Sequence, residues 1–275
     1  MDQVRDGRWV RQPNRFTDRL GPPEPGRYRL YASYACPWAQ RVLIVRELLG
    51  LGDLLEVRIV DPIRDERGWR VPDGEFLSEL YLATDPSYEG RYTVPCVWDV
   101  KEGRIVSNDF PQITLDLETR WAREPDLYPE DLRGEIDAMN DRLYHGLNNA
   151  VYEAGFARSQ EAYEEAVRRV FATLDFLEER LSGSEFLFDG LTESDVRAYT
   201  TLARFDTVYY LHFKCSIRRL VDYPAVWRYA RRLYAIPAFR ETTNFDHIKR
   251  HYYLTHPHIN PSRLVPLGPE LDWSL

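Results

Sequence analysis

The chain is short of lysine, cysteine and long apolar runs, and each shortage removes a class of function. Of the 36 basic residues among 275, only Lys101, Lys214 and Lys249 are lysine, and the net charge is −8 with a pI near 5.4. An acidic chain lacks the basic excess that gathers phosphates, so Arg218-Arg219 and Arg231-Arg232 read as solvated helix faces and nucleic acid is not an expected partner. No apolar run approaches the ~20 residues that cross a bilayer. The polar N-terminus MDQVRDGRWV does not have the form of a signal peptide, so a cytoplasmic protein without a membrane partner is expected. Cys36, Cys96 and Cys215 show no pairing pattern and argue for a reducing compartment. The 33 arginines that stand where lysine is scarce point to a genome of high G+C.

What is present suffices for two ordinary domains, since 44% of the residues are hydrophobic. The most informative stretch is 27–49, RYRLYASYACPWAQRVLIVRELL. Tyr28, Leu30 and Ala32 alternate with Arg27, Arg29 and Tyr31 as in a half-buried strand, whereas Trp38, Val42, Val45 and Leu49 recur at helical spacing. Pro37 suits the first helical position, which leaves Cys36 just before the first turn. The unpaired N–H groups and dipole there favour S⁻ over SH, so Cys36 is expected to be a reactive thiolate.

The motif Cys36-Pro37-Trp38-Ala39 resembles the redox motif of the thioredoxin and glutaredoxin superfamily with its second cysteine replaced by Ala39. An intramolecular disulfide is then unavailable at the motif, and a mixed disulfide must be resolved by an external thiol such as glutathione. Leu55–Val60 alternates as a second strand, a long insert runs from Asp61 to about Gly90 with a helical stretch over Glu75–Tyr81, and Thr93–Trp98 and Arg104–Ser107 read as a hairpin. Proline inside a strand is normally disfavoured. The thioredoxin-like fold, however, places a cis-proline facing its thiol, and Val94-Pro95 resembles that element. Asn108-Asp109 then caps a helix with the stripe Ile113, Leu117 and Trp121.

From Asp131 onward every periodic segment is helical: Leu132–Val151, Gln160–Leu181, Thr192–Leu211, Ala225–Ala235 and Phe245–Tyr253, with Thr192-Glu193-Ser194-Asp195 as a capping box. The expected organisation is an N-terminal extension (1–26), a thioredoxin-like thiol-binding domain of α/β class (27–122), an all-α domain (131–254) and a tail (255–275). That order resembles the glutathione transferase fold.

Five further blocks, SYACPWAQRVLIVRELLGL, GRYTVPCVWD, AVYEAGFARSQEAYE, LARFDTVYYLHFKC and FDHIKRHYYLTHPHINPSRLVPLGP, resemble the glutathionyl-hydroquinone reductases, the Xi-class glutathione transferases. The resemblance covers about Arg27 to Pro269 and implies a homodimer with no tightly bound cofactor. It also implies a reaction in which a cysteine thiolate attacks the sulfur of a thiol-conjugated hydroquinone and a second thiol regenerates the enzyme. Cys36 matches the nucleophile. Pro37, Trp38, Trp69, Val94 and Pro95 match the thiol site, and Tyr152 with Tyr252 or Tyr253 matches the hydroquinone site, where a phenolic O–H can supply a proton.

One departure is at Asp109-Phe110, where the family usually has a Glu-Ser pair that holds the γ-glutamyl group of glutathione. Phe110 removes a hydroxyl donor, a hydrogen bond worth ~1 to 3 kcal/mol. With the arginine-rich composition this makes mycothiol a candidate cosubstrate beside glutathione. An omega-type thiol transferase or dehydroascorbate reductase would share Cys36 without needing the HIKRHYY block, and a non-catalytic transferase-fold module would not need Cys36. His247, His251, His256 and His258 have spacing that suits zinc, but no acidic or thiolate ligand lies near the later histidines, and no metal is expected.

Overall fold

The computed structural model describes residues 3–275. The described residues divide into two compact units, one of residues 12–126 and 242–251, the other of residues 3–11, 127–241 and 252–275. Residues 3–11 fall in the helical unit and 12–26 in the sheet unit.

The sheet unit is built on β3 (Tyr28–Ala32), β4 (Leu55–Ile59), β5 (Cys96–Asp99) and β6 (Arg104–Ser107) in the order β4-β3-β5-β6. The β3–β4 pair is parallel, with Leu30 opposite Val57, and the other pairs are antiparallel. Parallel strands need a crossover, which α1 (Pro37–Leu48) supplies. Leu30, Ala32, Val42, Ile44, Leu55, Val97 and Ile105 are fully buried, so the period-2 and helical patterns read from the sequence are the two faces of one core. Ile113 and Leu117 of α3 (Phe110–Thr119) complete it. Within the insert, α2 runs Leu77–Thr84, starting two residues and ending three residues later than expected, and buries Leu77 and Tyr81. Residues 12–26 are bound to this unit. Phe16 and Asn108 exchange hydrogen bonds at 2.9 Å, the Leu20 N–H donates to Asp116 at 2.7 Å, and Arg19 pairs with the same carboxylate.

The helical unit opens with a hairpin, β1 (Gln3–Arg5) and β2 (Arg8–Val10). Its turn residues Asp6 and Gly7 both have positive φ, 50° and 76°, as a two-residue Asp-Gly hairpin loop requires. A Cβ on Gly7 would also lie 2.6 Å from Ser159 Oγ. The unit's helices are α4 (Arg133–Leu143), α5 (Ala150–Phe156), α6 (Gln160–Arg180), α7 (Glu193–Leu202), α8 (Pro224–Ala235) and α9 (Pro237–Glu241), and α10 (Phe245–Thr255) belongs to the sheet unit up to His251 and to the helical unit from Tyr252.

Two expected helices are interrupted. The segment expected as Leu132–Val151 contains a π turn at Tyr144–Asn148, and that expected as Thr192–Leu211 ends at Leu202 before a second π turn at Phe205–Tyr209. A π turn adds one residue to the helical repeat and rotates everything after it, which hydrophobic spacing does not register. The Thr192 box is present. Asp195 accepts from the Thr192 N–H at 2.8 Å and also from Leu187 N–H and Tyr229 O–H.

Candidate functional site

In the sheet unit, β3 ends in a short loop that delivers Cys36 to the start of α1. The Cys36 N–H donates to Ser33 O at 3.1 Å, its carbonyl accepts the Gln40 N–H at 3.0 Å, and Pro37 takes the first helical position. Cys36 is extended (φ −83°, ψ 117°), the conformation of a helix-capping residue. Its thiol donates to Val94 O across 3.4 Å, and the Val94-Pro95 bond is cis, so the two motifs meet. Cys36 is half-buried, while Cys96 and Cys215 are buried and their thiols are pushed well above the ordinary range by desolvation.

Three of the other expected thiol-site side chains are packed. Trp38 and Phe110 lie with ring centroids 4.5 Å apart, and the Arg41 guanidinium lies 4.6 Å from the Trp38 centroid. Trp69 stacks on His251 at 4.8 Å, and His251 Nδ1 is 2.8 Å from Pro62 O. The expected side-chain cap at α3 is not formed. Asp109 occupies the N-cap position, but its carboxylate accepts from Asn14 at 2.9 Å, and Asn108 donates to Tyr81 at 3.1 Å. Phe110 is 7% exposed and spends its bulk on Trp38.

The helical unit brings together three phenols. Tyr152 on α5, Tyr209 in the second π turn and Tyr252 on α10 are all buried. The Tyr252 hydroxyl hydrogen-bonds that of Tyr152, lies 3.1 Å from that of Tyr209, and Tyr152 and Tyr209 oxygens are 3.5 Å apart. Burial holds the Tyr209 and Tyr252 phenols well above their ordinary pKa, offset in part by the buried Arg204 charge, so both are O–H donors at neutral pH. Tyr253 turns away from this group. Its hydroxyl donates to Thr207 O at 3.3 Å and burial pushes its pKa up to about 12.

Tyr209 was not singled out from the sequence. It lies within LARFDTVYYLHFKC, but only the π turn decides which of Tyr209 and Tyr210 faces the cluster. Gly155 belongs to the same packing, since a Cβ there would sit 2.2 Å from the Phe213 ring, which stacks on Tyr209 at 5.4 Å.

Among the described residues no group of three or more histidine, cysteine or acidic side chains is placed to hold a metal ion. His247 meets Tyr34 edge-on at 5.8 Å, and His256 Nδ1 lies 3.1 Å from His212 Nε2. No helix among the described residues is long and apolar enough to cross a membrane.

A thioredoxin-like sheet with a helix-capping cysteine against a cis-proline, followed in the chain by an all-helical unit, defines the glutathione transferase class. The glutathione S-transferase N-terminal and C-terminal domain families match residues 35–120 and 160–232. Glutathionyl-hydroquinone reductase PcpF of Sphingobium chlorophenolicum is 45% identical over 96% of this chain and 90% of its own length. Glutathionyl-hydroquinone reductase YqjG of Escherichia coli is 45% identical over 90% of this chain and 81% of its own. The crystal structure of the glutathione S-transferase Xi from Phanerochaete chrysosporium superposes with a TM-score of 0.92 at 43% identity, covering 97% of this chain and 99% of that one. The chain belongs to the glutathionyl-hydroquinone reductases, the Xi-class glutathione transferases.

Proposed function

We propose that this enzyme removes glutathione from glutathionyl-hydroquinones, with Cys36 as nucleophile and the phenols of Tyr152 and Tyr252 serving the aryl group. The observation that carries the hydroquinone half is the buried convergence of three phenolic hydroxyls, neutral donors suited to a ring oxygen or ring carbon. In the first step the Cys36 thiolate attacks the substrate sulfur. A sulfur–sulfur bond forms, the aryl carbon–sulfur bond breaks with its electron pair going to carbon, and that carbon takes a proton from a phenol. In the second step another glutathione attacks the mixed disulfide, releasing oxidised glutathione and the Cys36 thiolate. The carbon–sulfur bond is thus replaced by carbon–hydrogen, while the sulfur it releases and the sulfur of one free thiol are joined as a disulfide.

Ionisation of Cys36 removes the S–H that Val94 O accepts, leaving that carbonyl to an N–H of the incoming thiol. Trp38, Trp69, Pro95 and Asp109 are proposed to line the same site. Glutathione is preferred over mycothiol because both reductases named above carry glutathione in their names, and because the Phe110 ring is already engaged with Trp38.

Tyr152→Phe and Tyr252→Phe should each slow hydroquinone release by ~10²-fold or more where proton transfer limits the rate. Reduction of a simple mixed disulfide, whose leaving group is a thiolate, should change little. Tyr253→Phe should behave as the native enzyme on both substrates. Steady-state rates on the two substrates decide the matter, and parallel losses on both would remove these tyrosines from the proton-transfer step.

A further inference from the structure

The N-terminal hairpin sets a cation against one of the three phenols. Arg11, the residue after β2, holds its guanidinium carbon 5.1 Å from the Tyr152 ring centroid and 4.9 Å from that of Trp9. Its Nε donates to Asn149 Oδ1 at 2.8 Å, and Asn149 directly precedes α5, the helix that carries Tyr152. Trp9 is 5% exposed and stacks on Tyr152 at 6.0 Å with 27° between planes, and it also meets Phe156 at 5.6 Å. Arg11 and Trp9 therefore reach Tyr152 from a segment about 140 residues earlier in the chain, where the sequence offered only a polar extension. A cation within about 6 Å of an aromatic centroid is attracted to the ring. That attraction strengthens when the ring carries the negative charge of a phenolate.

We infer that Arg11 is a positioning residue that holds Tyr152 and favours its ionised form, making Tyr152 the phenol that gives its proton to the departing aryl carbon. The inference rests on the reaction proposed above and assigns the acid within it. The proton leaves Tyr152 for carbon, and the resulting phenolate is met by the O–H groups of Tyr209 and Tyr252 and by the Arg11 charge. It recovers a proton when the second thiol gives up its own on becoming thiolate, so charge balances over the cycle.

The other titratable groups around Tyr152 do not substitute for Arg11. Tyr209 and Tyr252 are donors held neutral by burial, and Arg204 acts on those two phenols. Glu153 is engaged by Asn149 at 2.7 Å and by Arg169. The hydrogen-bonded His212–His256 pair meets the Tyr252 ring, at 6.3 and 5.6 Å between centroids.

The test uses the full-length protein with Arg11→Met, which keeps the stem and removes the charge, Arg11→Lys, which keeps the charge, Tyr152→Phe, and the double variant Arg11→Met/Tyr152→Phe. Arg11→Met should slow hydroquinone release from a glutathionyl-hydroquinone by about tenfold at neutral pH, the effect of roughly one pKa unit on a fully transferred proton, with KM unchanged. Arg11→Lys should restore most of the rate, both should reduce a mixed disulfide normally, and Arg11→Met should add nothing to Tyr152→Phe.

A second readout needs no turnover. In protein carrying 3-fluorotyrosine, the Tyr152 fluorine resonance, identified by its loss in Tyr152→Phe, should titrate at higher pH in Arg11→Met than in the native chain. An unmoved midpoint, or losses from Arg11→Met and Tyr152→Phe that multiply, would overturn the inference. A moved midpoint in a protein that releases no hydroquinone would instead overturn the proposed reaction and leave the action of Arg11 on Tyr152 standing.

Discussion

At the scale of single residues, the three cysteines are distinguished by burial and position. Cys96 and Cys215 are enclosed, and desolvation opposes their ionisation, whereas Cys36 is half-buried at the start of a helix, where charge on sulfur is favoured. Iodoacetamide at neutral pH, followed by peptide mapping, should modify Cys36 well ahead of the other two. The apparent pKa of that labelling should lie below the ~8.5 of an ordinary thiol. Equal labelling of all three would contradict the assignment. Cys36→Ala should abolish reduction of both substrate types, and Cys36→Ser should retain little, because a hydroxyl is far less ionised. This site was legible because a proline at the first helical position and a change of period mark the junction within a few residues. The choice between Tyr252 and Tyr253 was not, since adjacent residues on a helix point about 100° apart and only the packing around α10 says which direction is the cluster.

At the scale of elements, the start of α3 shows how a sequence departure can be absorbed by packing. Phe110 reads as a lost hydroxyl in a thiol site, yet its ring lies against Trp38 and is almost fully enclosed. Phe110→Ser should therefore act mainly on stability. Removing a buried phenyl ring costs ~3 to 5 kcal/mol, which would appear as a marked drop in Tm. Calorimetric titration with glutathione should show affinities for native and variant protein within a few-fold of each other. A tenfold gain in the variant would instead mean that the ring excludes the γ-glutamyl group. The N-terminal hairpin is the opposite case. Asp6-Gly7 between Val4-Arg5 and Arg8-Trp9 is a two-residue hairpin signal that the polar composition of residues 1–26 masked.

At the scale of the whole molecule, buried ionisable groups couple folding to pH. Burial, with Lys214 and His258 adding to it, lowers His212 from its ordinary 6.5 to about 4. Between those values the unfolded chain takes up a proton that the folded chain refuses, so this group's contribution to stability is lost as pH falls through that window. Asp195 and Asp206 run the other way. Burial raises their folded pKa, so they take up protons on folding and offset part of the loss. His212→Gln, which keeps a polar partner for His256, isolates the histidine. From pH 6.5 to 4 the Tm of the native protein should fall more steeply than that of the variant, and identical slopes would show that His212 is not the group responsible.

By itself, the sequence determined the elements whose signals are local. These are the strand-to-helix junction at Cys36, the Val94-Pro95 element, the Thr192–Asp195 cap and the order of a sheet unit followed by helices, because period, proline position and capping chemistry act within a few residues. The tertiary structure decided what depends on distant segments meeting. It set the hairpin with Trp9 and Arg11 on Tyr152, gathered Tyr209 with Tyr252 around the same hydroxyl, and turned Phe110 onto Trp38. The physical reason is that two π turns rotate the helix faces after them, and that packing, which spans more than a hundred residues of chain, selects the side chains that share a site.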